Sequence, residues 1–151
     1  MTTDRSLFED RIELLLANQG HPSVDGDGFT KMDPHQKRMA ALFILENEVA
    51  QGGFSKAYFS QSPLLGEIAA EGYEVIGARD HARVVRASLE AAKKSEKSAM
   101  LQTLSEEHIR SGYAAVDRDW AALSGNDTSS LKVAYMKQHP KSFGIVFAND
   151  K

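Results

Sequence analysis

The segment QGGFSK, residues 51–56, sets two bare amides close to a lysine, the residue types that cradle a phosphate. The spacing does not fit that chemistry. Neither G-x-x-x-x-G-K-[ST] nor G-x-G-x-x-G is present, and no buried strand pattern leads into the glycines. VDGDGF offers oxygen ligands of the kind calcium takes. With Asp25 in the first position, Thr30 falls where the sharp-turn glycine belongs and Gln36 where the bidentate glutamate belongs. With Gly28 as the turn glycine, Ser23 comes first and Pro34 takes the glutamate position, so neither register works. His21, His35, His81, His108 and His139 include no pair at helical metal spacing. No serine sits in G-x-S-x-G. No catalytic residue, metal site or cofactor is assigned on these grounds.

Carboxylates make the remaining pattern. Glu67, Glu71 and Glu74 recur at i, i+4 and i+7, which places them on one helical face. Four residues of helix rise about 6 Å, close to the spacing of phosphates along a nucleic-acid strand, so such a row can imitate one. Its alternative is a solvated helix face, neutralised in part by Arg79, Arg83 and Arg86 on the following helix. Glu46 and Glu48, just ahead of the glycines, are further candidates, and Glu9, Asp10 and Glu13 form a second acidic patch.

The elements that must position these groups read as helices. Leu7, Phe8, Ile12, Leu15 and Leu16 form an apolar stripe in a helix over 4–18. Asp33 before Pro34 starts a second helix, with Met39, Leu42, Phe43, Leu45 and Val49 buried on one side. Gly52 ends it, and Gly53 reverses the chain so that Phe54 enters the core, with Tyr58 and Phe59 beside it. Ser62 and Pro63 repeat the starting signal for a helix carrying Leu64, Leu65, Ile68, Ala69, Val75 and Ile76, which Gly77 closes. A fourth helix begins near Asp80, with Ala82, Val85, Leu89 and Ala92 inward and the three arginines outward. Residues 93–98 are polar, a helix end or an exposed turn, and helical pattern resumes from Met100 to Leu123 with a break allowed near Ser105. A loop, SGNDTSS, then supplies a cap at Thr128 or Ser129 for a helix near 131–138, stopped by Pro140. The tail SFGIVFAND is short enough for one strand or a core plug. The expectation is one all-α domain over 1–151, a compact bundle of six to seven helices with a possible short terminal strand.

Composition narrows the function classes. The chain has 151 residues, 42% of them hydrophobic, enough for a core without staples. It contains no cysteine, which removes disulfides, thiolate metal sites and cysteine nucleophiles. The N-terminus lacks the basic start and unbroken apolar core of a signal peptide. No apolar run nears the roughly 20 residues that span a bilayer. These features fit a cytoplasmic protein that does not engage a membrane. With 21 acidic and 18 basic residues, the formal charge of −3 speaks against direct nucleic-acid binding.

The second helix, the glycine pair and the aromatics after it resemble the signature of the DNA-mimic protein C-terminal domain family, a bacterial all-helical family. Its pattern is a glutamate-bearing helix ending in Asn-Gly-Gly-Phe, followed by a Gln, aromatics and an Asn. Here Glu48 to Phe54 match the first part, and Lys56, Ala57, Tyr58, Phe59 and Ser60 follow. IGARDHARVVRASLEAA from Ile76 is similar to the family's turn and next helix, and AVDRDW and AYMKQHPKSF resemble its closing elements. Together they cover about 40–143, with the helix at 4–18 packing on that region. Two positions depart from the pattern: Gln51 replaces the Asn before the glycines, and Lys56 replaces the later Gln.

The resemblance implies a helical fold with no assigned enzyme activity. In the family's named member, an acidic surface imitates DNA and occupies a transcription factor's DNA site. Three readings follow for this chain. The first is a non-enzymatic protein-binding module, a DNA-mimic-type regulator that turns an acidic face toward a DNA-binding protein. The second is an immunity-type protein that neutralises a toxin. The third is an enzyme with a pocket near the glycine turn that draws on Glu46, His35 or Tyr58. Oligomeric state is left open.

Overall fold

The computed structural model describes residues 3–16, 26–101 and 111–144, with backbone only for Asp27 and 97–101. Among these residues the protein is all-α. Eight helices follow in order: α1 (Asp4–Leu16), α2 (Asp27–Thr30), α3 (Pro34–Gln61), α4 (Leu64–Val75), α5 (Arg79–Leu101), α6 (Ala114–Ala122), α7 (Ser129–Gln138) and α8 (Pro140–Phe143). The tail element expected after Phe143, the end of the first helix and much of the pattern between Met100 and Ile109 lie outside the described residues.

α3 is the central element, packed on α4, α1, α5, α6 and α8. It starts where the sequence says. Asp33 Oδ1 accepts from the Gln36 backbone N–H at 2.9 Å, and the Gln36 side chain returns a bond to the Asp33 N–H at 2.9 Å, a complete capping box. Burial goes further than one side. Ala40, Ala41, Leu42, Ile44 and Leu45 are all in the core, so this stretch is enclosed by neighbours nearly all round.

The end of this helix departs from expectation. Regular geometry stops at Gly52 (φ −167°, ψ 23°) and Gly53 (φ 77°, ψ −175°), then resumes at once and runs to Gln61. The pair is therefore an elbow inside one long helical element. Phe54 is fully buried beyond it and Tyr58 nearly so, but Phe59 is 94% exposed and takes no part in the core.

α4 ends in a Schellman motif. The Gly77 N–H donates to Glu74 O at 3.1 Å and the Ala78 N–H to Tyr73 O at 2.8 Å, with Gly77 at φ 87°. Leu65, Ala69 and Tyr73 face the core, whereas Leu64 and Val75 stay substantially exposed. α5 runs unbroken through the polar stretch at 93–98 and buries Ala82, Val85 and Ala92 as expected, with Val84 and Ser88 as well. α7 begins two residues earlier than expected, and Asp127 rather than Thr128 or Ser129 serves its first turn: Oδ1 accepts from the Ser129 N–H at 2.9 Å and its hydroxyl at 2.6 Å. α1 lies against α7 and α3 through Phe8, Ile12 and Leu16.

Candidate functional site

The elbow explains the glycine pair. A break in the helical ladder leaves the Phe54 N–H without its usual carbonyl, and Asp117 Oδ1 on α6 accepts it at 3.0 Å. A Cβ on Gly53 would fall 2.8 Å from Asp117 Oδ2, and φ of 77° is unfavourable for any other residue, so glycine is required twice over. The amide thus does meet an anion, supplied by the protein's own carboxylate. Gly52 has ordinary extended φ, and the side chain of Lys56 lies across it to reach Glu48 Oε2 at 2.6 Å. Lys56, where the family pattern has Gln, is thereby tied to the buried Glu48 as an ion pair spanning the elbow.

Aromatic rings carry the elbow into a neighbouring cleft. Trp120, one helical turn beyond Asp117, packs edge-on against Phe54 at 5.4 Å between centroids, and also against His81 at 5.4 Å and Tyr73 at 5.9 Å. Tyr73 and His81 stack on each other at 5.2 Å. Beyond Trp120 opens a cleft of about 540 Å³ between α1, α3, α5, α6 and α7. Its floor holds an ion pair. Lys132 Nζ lies 2.6 Å and 2.9 Å from the two Glu46 oxygens and 4.7 Å from the centre of the Phe8 ring. Tyr73 donates its hydroxyl to Glu46 Oε2. Burial, with the Glu46 charge adding, pushes the Tyr73 phenol well above its ordinary range, so it stays a donor. Burial also holds His81 below the usual histidine range, against the pull of Glu46 and with Lys132 adding to it. His81 is therefore neutral at pH 7, and its ring has no hydrogen-bond partner among the described residues.

The candidate acidic row sits elsewhere. Glu67, Glu71 and Glu74 all lie on the exposed side of α4. Arg38 donates to Glu71 Oε1 at 2.6 Å and 3.0 Å, and Arg86 holds Glu74. Glu67 has no ion pair among the described residues. The row is thus interrupted by two arginines, one from α3 and one from α5. Glu46 and Glu48 do not join it, because each is drawn inward by a lysine.

The other named candidates keep separate company. His35 stacks on His139 at 3.6 Å and shares a 2.6 Å hydrogen bond with the Tyr135 hydroxyl, which also accepts from Arg38 at 3.1 Å. Tyr58 is buried against Ser88. Of Glu46, His35 and Tyr58, only Glu46 lines the cleft. Among the described residues no group of three or more His, Cys, Asp or Glu could hold a metal.

A sequence model of the family described as DMP19-like protein matches residues 30–139, well over half the chain. The chain belongs to the DMP19-like family. The DMP19-like region contains the elbow, most of the cleft and the acidic row. The motif elements of the sequence reading have visible jobs in it: Asp117 caps the helix after the elbow and Trp120 walls the cleft. Tyr135 and His139 close on His35, and Phe143 just past the match is buried. No curated protein and no solved structure matches the chain. No helix among the described residues is long and apolar enough to cross a membrane.

Lys132, Asp117, His81 and Trp120 were not among the candidate site residues. A signal existed for Lys132: with Ser129, Val133 and Met136 it forms an i, i+3, i+4, i+7 face, and all four are buried. Sequence spacing put it on the inward side, but its charge argued for the surface.

Proposed function

We propose that this protein acts by binding another protein, without catalysis, and that the partner is a DNA-binding protein whose basic DNA site it occupies. Membership of the DMP19-like family carries this reading, because the family is one of DNA mimics. The contact surface in this reading is the outer face of α4, with Glu67, Glu71 and Glu74. Its ion pairs to Arg38 and Arg86 do not bar it. The Arg86–Glu74 pair is exposed on both sides and contributes about 0–1 kcal/mol, so a basic partner can take over Glu74 at small cost. Glu71, itself 56% exposed, stays open to a partner with the partly buried Arg38 behind it. A formal charge of −3 makes any mimicry local, confined to one face of the molecule.

The test is capture from the native host followed by competition. The protein, used as bait, is expected to retain a DNA-binding protein that mass spectrometry identifies. Adding the protein should then release that partner from labelled DNA in a fluorescence-anisotropy titration, with affinity falling steeply between 50 and 300 mM salt. Neutralising the row as E67Q/E71Q/E74Q should weaken competition at least tenfold. A partner that binds without releasing DNA, or that is indifferent to the row, defeats the proposal.

A further inference from the structure

The cleft beside the elbow is a second place where a partner's charge can be read, and the geometry of its floor gives it a sign. Of the Glu46–Lys132 pair, the lysine side chain is 6% exposed and the glutamate side chain 36%, so the negative partner lies nearer the opening. Lys132 spends its charge on both Glu46 oxygens and the Phe8 ring. Glu46 Oε1 accepts one bond where a carboxylate oxygen takes two, which leaves an acceptor facing the cavity. At the rim, Arg5 is paired with Glu9 at 3.0 Å, and Asp127 adds one more carboxylate. Three lining carboxylates against two lining cations leave an excess of one negative charge.

A second observation is independent of charge. His81 is about nine-tenths buried, lines the cavity and has no hydrogen-bond partner among the described residues. Its ring nitrogens are not sealed from solvent, so a donor entering the cleft can reach the acceptor nitrogen by displacing water. Asn47 and Asn126 add carboxamide acceptors at the same opening, and Phe43 and Trp120 add aromatic surface.

We propose that this cleft is a socket for the guanidinium of an arginine side chain on the partner protein. A guanidinium only donates, is always charged and lies flat against aromatic rings, which matches a site made of surplus acceptors and aromatic walls. The volume of about 540 Å³ exceeds one side chain and leaves room for flanking peptide. This inference rests on the protein-binding reading above, since a basic DNA-binding partner is the source of the arginine.

Trp120 is the only tryptophan in the chain and stands in the cleft wall, so its fluorescence reports occupancy directly. The full chain is titrated with acetyl-Gly-Arg-Gly-amide, with the citrulline peptide of the same shape, and with free arginine. The arginine peptide should give a saturable change, the citrulline peptide at least tenfold weaker binding, and free arginine weaker binding because of its own carboxylate. The paired variant E46Q/K132M, which leaves no ammonium without its partner, should lose the response while circular dichroism shows it folded. D127N, at the rim, should weaken binding about threefold if the paired variant does not fold. Equal response to citrulline, tighter binding of free arginine, or no response at all overturns the socket. If the peptides fail but the whole protein still releases its partner's DNA, the socket alone falls. If that release is absent too, the protein-binding reading falls with it.

Discussion

On the outer face of α4, Glu74 meets Arg86 with both side chains about half exposed; in the cleft, Glu46 meets Lys132 with the ammonium almost wholly enclosed. The residue types are alike, and burial makes the difference. Water screens the first pair and solvates either partner when the other leaves, so the pair can be exchanged for a different one. Around Lys132 little water is available, and the Tyr73 hydroxyl and Phe8 ring are arranged about both charges. The outer face is therefore suited to changing partners, and the cleft floor to keeping its shape while presenting one carboxylate edge.

Breaking the inner pair should have the largest effect. K132M alone leaves Glu46 without its cation beside the Phe8 ring and should cost about 3 kcal/mol in urea unfolding, with E46Q/K132M recovering much of it. That cost is at the low end for a buried pair because Glu46 keeps partial access to water. Recovery would separate a buried-charge penalty from lost packing. Loss of the same size in both variants would mean that the pair itself matters less than the space it fills.

The elbow between the two regions comes next. G53A forces a left-handed conformation on alanine and pushes its Cβ into Asp117, and should cost about 1–3 kcal/mol. D117A removes the acceptor of the Phe54 N–H and should cost about 1 kcal/mol, in line with other lost helix caps. G52A should cost less than G53A, because its φ is ordinary and only the flexible Lys56 side chain must move. Equal effects at the two glycines would contradict the elbow geometry.

Acid should distinguish the regions more gently. His81 in the cleft and His139 on the His35 stack both titrate below the usual histidine range, each chiefly through burial. A folded-state value below the unfolded one means the unfolded chain binds the proton first, so stability is full above the unfolded value of about 6.5 and declines as pH falls through the folded values. The melting temperature should drop between pH 7 and pH 5. H139N should flatten that slope partially, and a rise in stability on acidification would reverse the assignment.

The smallest effect is expected on the outer face. R86Q should change stability by no more than about 0.5 kcal/mol, within the range of exposed pairs. If it weakened the fold as much as K132M, the contrast between the two regions would disappear.

Much of the frame was legible because it is local. Asp33, Pro34 and Gln36 declare a helix start through groups three residues apart, and Gly77 declares a stop in the same way. The apolar spacing of α1 and α5 named most of their buried residues. The elbow was half legible: the glycines announced a break, but not that α6 would supply a carboxylate to restart the helix 63 residues earlier in the chain. Residue type groups Phe59 with Phe54 and Tyr58, yet Phe59 points to solvent while the other two pack inward.

The sequence by itself determined the class of structure, some of the points where helices begin and end, and membership of the family, since each depends on neighbours along the chain or on residue order. It did not determine which charges would be spent internally. Glu46, Glu48, Glu71 and Glu74 look alike in a string of letters, and their differing fates follow from where Lys132, Lys56, Arg38 and Arg86 arrive in space. Only the tertiary structure decides that, because the strength of a charge depends on the water left around it and on the partner that packing brings within reach.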